Sequence, residues 1–449
     1  MRRCANWCLL KQIVYGNILS PASPPLAERG AILRPPFARG ALLCAALAIL
    51  AILPYLPVLV QPFVSDDYIQ LDLGRKYGPV DTWADLAADA LYRCRATSIV
   101  ITHWTEHFFG VHPLPYYVTS IAMHVLNSLL LFGAAWKLGL GGVRSYLAAV
   151  FFALQAGHQE AVMWYAALPE LLLFFFCGCF LLSWNSYARK GSRNQFVLAL
   201  LWFVLALLSK EAAVILVPVA AAILYQRQRG LWPALPLAIL AAIYTAAIFA
   251  AKADHLHLND GTFSLRAPFV QVWALSIWRM FWVWGLLSVA ALAAWRRQAW
   301  RTLLAPAFWI SVAILPFCFL LYMPVVPSRH TYLASAGVGF FVAAGALAAR
   351  ARFRQVRWVL PAILTIFALQ NTGYVWTKKR LQFLQRTEAT ESLLQLARHT
   401  DGLIYVTCFP YGHDVAEKAL EIGLGQSSAR LVWNTPPPPG AVSFCAKDP

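Results

Sequence analysis

Long apolar runs separated by short polar connections organise this chain. Eleven runs approach the ~20 residues that a helix needs to cross a ~30 Å hydrocarbon core: 40–60, 114–136, 143–157, 162–188, 195–208, 212–225, 231–251, 279–295, 302–322, 332–349 and 358–376. The pattern predicts an all-α polytopic membrane protein of about eleven transmembrane helices. Three parts follow: an N-terminal tail over 1–39, a transmembrane domain over 40–377 that includes a first long connection at 61–113, and a small C-terminal module over 378–449. In that module, 378–400 reads as a charged helix, 403–409 and 430–433 as strands, and 414–422 as a helix, which gives a small α/β tail.

Composition agrees with the run pattern. Hydrophobic residues make up 60% of the 449 and charged residues only 13%, which excludes an ordinary soluble enzyme. The formal charge of +17 would suggest nucleic-acid binding in a soluble protein, but its distribution gives another origin. The N-terminal tail holds six basic residues and one acid, and alternate connections after it hold fourteen basic residues and no acid. The remaining connections hold nine basic residues and twelve acids, and the tail after Trp376 holds eight and seven. This is the positive-inside signature. It predicts a cytoplasmic N-terminus, no removable signal peptide, an external C-terminus and no nucleic-acid partner, in a membrane that is best read as a bacterial cytoplasmic (inner) membrane. Of nine cysteines, Cys94, Cys408 and Cys445 fall outside the spans, and Cys408 with Cys445 is a candidate disulfide in an oxidising compartment.

On this topology nine of ten histidines lie on the external side, while inner connections offer only lysine and arginine as titratable groups. Catalysis is therefore expected on the outer face. Asp66-Asp67 stands six residues beyond the first run, where adjacent carboxylates suit either proton abstraction from a hydroxyl or coordination of a divalent cation; the competing reading is a helix N-cap. Residues 80–91 have the spacing of an interfacial amphipathic helix. Lys210 and Glu211 fill a turn so tight that they are expected to be recessed below the outer surface, where ionisable groups are usually functional or close a helical hairpin as an ion pair. Arg329 opens the tenth run, placed to clamp a phosphate, with an interfacial snorkelling arginine as the alternative; Arg93, Arg95 and Arg279 are weaker candidates. His103-Trp104-Thr105-Glu106-His107 matches the inverted zinc-protease pattern, for which an interfacial helix is the stronger reading.

Taken in order, Asp66-Asp67, Tyr92-Arg93, Phe109-Gly110-Val111-His112-Pro113, His124 and Asn127, His158-x-Glu160-Ala161-Val162-x-Trp164, Lys210-Glu211 and Arg329-x-x-Tyr332-Leu333-x-Ser335 resemble the multi-spanning C-type (GT-C) glycosyltransferase superfamily, nearest its protein O-mannosyltransferase-like branch. The resemblance covers about residues 62–345. It departs from the family at Cys94, where proline is common, and at Ala167-Leu168-Pro169-Glu170. It implies an inverting sugar transfer from a polyprenyl-phosphate donor to a protein or glycan acceptor, with one carboxylate of Asp66-Asp67 as general base. It further implies that Lys210, Arg329 and Arg93 hold the donor phosphate, that His158, Glu160, Glu211, His330 and Tyr332 shape the site, and that Asp67, His158 and Glu160 are candidate ligands for a divalent cation. The rival class is a non-catalytic transporter or flippase for a lipid-linked glycan, in which buried charges line a path.

Overall fold

The structure is a computed structural model that describes residues 37–251, 263–296, 300–321, 324–433 and 436–446. Most of the predicted basic tail, and His255 and His257, lie outside the described residues.

The run pattern becomes helices in the expected order. Among the described residues eight are long and apolar enough to cross a membrane: Gly40–Val60, Pro113–Lys137, Tyr165–Lys190, Trp232–Ala250, Phe269–Trp295, Trp300–Phe319, Ser328–Arg352 and Val359–His399. Three shorter apolar helices, Gly142–Ala153, Arg193–Leu207 and Glu211–Gln226, stand where the other three runs were expected. The chain is an integral membrane protein.

Two boundaries differ from expectation. The eighth run was placed to begin at Arg279, yet the helix starts at Phe269 and carries Arg279 in its interior. The charged side chain hid the continuity of the apolar segment, and a break in helical geometry at Trp282 follows three residues later. The last run was expected to end near Trp376. Instead Val359–Tyr374 continues through a π-helical turn at Val375–Lys379 into Arg380–His399, one rod of 41 residues, about 60 Å at 1.5 Å per residue.

Tyr332–Arg352 is the centre of the bundle and packs against Phe269–Trp295, Gly142–Ala153 and Trp300–Ile314. Its sequence, rich in Ala, Gly and Ser, allows backbones to approach closely, which is how helices gain packing when lipid is as apolar as their side chains. At Gly339 a Cβ would stand 2.7 Å from the Ala148 carbonyl oxygen, and at Gly345 it would stand 2.5 Å from Ser288 Cα. Any larger residue at either position must separate two helices.

The first long connection folds as the helix Asp67–Tyr77, short turns over Val80–Thr82 and Trp83–Ala88, and the helix Ala96–Phe109. The predicted amphipathic segment 80–91 is thus only two short turns, with Leu86 buried and Val80 and Trp83 exposed. Beyond the rod, β1 (Ile404–Cys408), the helix His413–Leu424, β2 (Leu431–Val432) and β3 (Val442–Cys445) form a parallel sheet in the order β2-β1-β3, with Cys408 and Cys445 paired in register and disulfide-bonded. The third strand is an addition to the sequence reading. His413–Leu424 packs on Asp67–Tyr77, and Lys418 pairs with Asp72 at 3.2 Å. The tail therefore buttresses the loop that carries the acidic pair.

Candidate functional site

The two adjacent aspartates have different fates. Asp67 is fully buried, its Oδ2 accepting from the Val64 N–H at 2.8 Å and from the Tyr117 hydroxyl at 3.1 Å, its Oδ1 from the Ala166 N–H at 2.7 Å. Burial nevertheless pushes its carboxyl above the usual carboxylate range, with these three donors pulling the other way. Asp66 is the N-cap residue by position, but its side chain makes no capping hydrogen bond. It remains partly exposed. The turn that presents it holds Ser65 at φ +33°, a left-handed conformation that a non-glycine residue adopts only when surrounding contacts impose it.

Asp66 lies within the electrostatic reach of two arginines. Burial raises its carboxyl from the ordinary value, Arg329 and then Arg386 draw it back down, and Asp414 raises it. Both guanidinium groups lie over the Trp164 ring, Arg329 at 5.0 Å and Arg386 at 5.7 Å from its centroid. Trp164 stands in extended conformation between the short helices Gln159–Met163 and Tyr165–Ala167, and its buried Nε1 has no acceptor among the described residues. Glu160 accepts from the Arg329 backbone N–H at 3.1 Å and lies 3.9 Å from its guanidinium. A carboxylate thus already occupies the N-terminal end of the helix that Arg329 precedes.

Lys210 is buried, as its tight turn predicts. Its ammonium is ion-paired with Glu170, which also bonds His330, and it lies 3.1 Å from His330 Nδ1. The His330 ring stacks on Phe317 at 4.5 Å. Glu211 is partnered separately, by Arg95 at 2.9 Å and the Cys94 thiol at 3.2 Å. Arg93 donates to the Ala247 carbonyl at 2.8 Å, closing the end of a helix. Arg279 donates to the Val326 carbonyl and so braces the loop before Arg329.

The expected cation ligands are not gathered. His158 is fully buried, bonds Ser335 Oγ at 2.7 Å and packs in tilted and edge-on contacts among Phe152, His124 and Tyr332. The oxygens of Asp67 are bonded to three protein donors, and Glu160 is bonded to Arg329. Among the described residues no group of three or more His, Cys, Asp or Glu is placed to hold a metal ion. The donor set does not fit a divalent cation. Tyr332 is likewise a core residue, its hydroxyl 2.8 Å from His124 Nδ1 and 3.3 Å from Asn127 Nδ2. In the inverted protease pattern Glu106 is bonded to Arg75 at 2.6 Å, while Trp104 and Phe108 are exposed, as in an interfacial helix.

Arg386 escaped the sequence reading. It sits in a charged helical stretch with no motif around it, and only the fold brings it to Trp164. Beside the site, a cavity of about 560 Å³ opens between the Val60 end of Gly40–Val60, the start of Pro113–Lys137 and the tail, lined in part by Phe63, Tyr68, His112, Glu391 and Arg398.

No protein-family model matches the sequence, and no curated protein matches it. Solved structures do. The crystal structure of ArnT from Cupriavidus metallidurans bound to undecaprenyl phosphate is similar at TM-score 0.52 with 14% identity, over 86% of this chain and 85% of that one. The Archaeoglobus fulgidus oligosaccharyltransferase, tethered to an acceptor peptide containing the NVT sequon, is similar at TM-score 0.50 with 11% identity, over 85% of this chain and 63% of that one. The fold is that of the C-type glycosyltransferases; these neighbours do not single out the O-mannosyltransferase branch.

Proposed function

We propose that the chain is a membrane glycosyltransferase that moves a sugar from a polyprenyl-phosphate donor to an acceptor hydroxyl at the outer face of the bacterial cytoplasmic membrane. The observation that carries this reading is the pair of guanidinium groups, Arg329 and Arg386, held over the Trp164 ring within electrostatic reach of the partly exposed Asp66 carboxylate. Asp66 accepts the acceptor proton, the hydroxyl oxygen attacks the anomeric carbon opposite the phosphate, and the C–O bond to phosphate breaks with inversion. Charge then grows on the leaving phosphate. Arg329 and Arg386 are held over Trp164 as donors for that charge, and such preorganised donors act in the transition state without reorganising.

In this scheme Asp67 positions rather than reacts. Lys210, neutralised by Glu170, supports the segment that carries Arg329. The fold likeness to a structure bound to undecaprenyl phosphate supports the donor class, and the tail disulfide suits an oxidising external compartment. A transporter would set its charges at mid-membrane, whereas Asp66 stands at the start of Asp67–Tyr77 and Arg329 just before Tyr332–Arg352, at one end of the bundle. Incubating the purified protein with a radiolabelled polyprenyl-phosphate sugar tests the proposal: wild type should release polyprenyl phosphate and label an acceptor, and an Asp66→Asn variant that binds donor should not. Full turnover by Asp66→Asn would overturn the assignment.

A further inference from the structure

At the opposite end of the bundle a second cavity, of about 440 Å³, opens between Phe269–Trp295, Trp300–Ile314 and Tyr332–Arg352. Its floor is apolar, with Phe340 and Leu347 half-buried along it. Its rim carries Arg144, Arg296, Arg350 and Arg354, all exposed, and no acidic residue lines it. The connections that supply these arginines, residues 137–144, 296–301 and 350–357, contain no Asp or Glu either. Topology explains why arginines lie at this end of the helices. It does not explain why three separate connections aim four of them at one groove.

We infer that this groove binds an anionic phospholipid of the inner leaflet, its phosphodiester held by the arginine rim and its acyl chains laid along the apolar floor. The chemistry selects this occupant. A planar guanidinium fork matches phosphate oxygens bidentately, the apolar floor suits acyl chains and not a soluble anion, and basic pockets between transmembrane helices at the cytoplasmic side are suited to acidic head groups. The site is independent of the sugar-transfer reading, because it lies a helix length, about 30 Å, from Arg329 along Tyr332–Arg352.

Native mass spectrometry of the full-length protein in detergent, titrated with phosphatidylglycerol or phosphatidylcholine, tests the inference. Wild type should retain phosphatidylglycerol in preference to phosphatidylcholine, and the triple variant Arg144→Gln/Arg350→Gln/Arg354→Gln should bind it on the order of 100-fold more weakly, at about one kcal/mol per arginine. A triple variant with the same loss of charge elsewhere at this end, Arg189→Gln/Arg193→Gln/Arg357→Gln, should bind like wild type. Leu347→Trp, which fills the groove and leaves every charge in place, should also weaken binding. Equal weakening by both arginine triples, wild-type binding by Leu347→Trp, or displacement of the lipid by millimolar inorganic phosphate would each overturn the inference.

Discussion

The Asp67 carboxylate accepts a hydrogen bond from the backbone N–H of Val64, three residues upstream, at 2.8 Å. That bond closes the turn in which Ser65 is held left-handed and from which Asp66 projects. Neighbours in sequence thus divide the labour, one holding the backbone and the other left partly exposed in the field of Arg329 and Arg386.

The division predicts opposite phenotypes. Asp66→Asn should leave thermal stability unchanged and lower sugar transfer about 10²- to 10⁴-fold, the range for loss of a general base. Asp67→Asn should lower stability by about 1–3 kcal/mol, because an amide turns an N–H group toward buried donors. Melting curves and single-turnover transfer assays on the two variants separate these effects.

The pH dependence of transfer follows from the surroundings of Asp66. Its carboxyl is raised by burial and drawn down by Arg329 and Arg386, so activity should rise with pH along a limb displaced above the usual carboxylate range. Replacing Arg386 with Gln removes a group that lowers the value, and the limb should move to higher pH. Asp414→Asn removes one that raises it and should move the limb lower. A profile unmoved by both changes would detach Asp66 from the pH limb.

Arg329→Ala and Arg386→Ala should each weaken binding of a polyprenyl phosphate by about 1.5–3 kcal/mol, the scale of a hydrogen bond to a charged group, and a fluorescent polyprenyl phosphate analogue reports this directly. Lys210→Met should behave differently. Leaving Glu170 buried without its ammonium should cost about 3–5 kcal/mol of stability, and the double variant Lys210→Met/Glu170→Gln should recover much of it.

The Cys408–Cys445 bridge closes a loop with a sequence separation of 37. Chain-entropy arguments give such a closure about 4 kcal/mol. Reduction, or Cys408→Ser/Cys445→Ser, should open the tail to limited proteolysis before the transmembrane helices melt.

Much of this architecture was legible because lipid imposes a simple rule: apolar length reports a helix. The acidic pair, the recessed Lys210 and the α/β tail with its disulfide could be found the same way. What stayed hidden depends on tertiary approach. Nothing near Arg386 in the chain marks it, since its role is set by a Trp164 more than two hundred residues away. Asp66 and Asp67 cannot be told apart by type or spacing, only by which one meets Val64, Tyr117 and Ala166. His158 and Tyr332 sit in motif-like strings yet serve the core, because a buried imidazole needs partners of its own and finds them in Ser335, Phe152 and His124.

The central helix Tyr332–Arg352 has Arg329 just before its first turn and Arg350 in its last. At 1.5 Å per residue its 21 residues measure about 32 Å, close to the thickness of a hydrocarbon core. It is a ruler laid across the membrane. The distance between the two arginine clusters is fixed by backbone rise, and each residue inserted into this helix would swing one cluster by about 100° around the axis relative to the other.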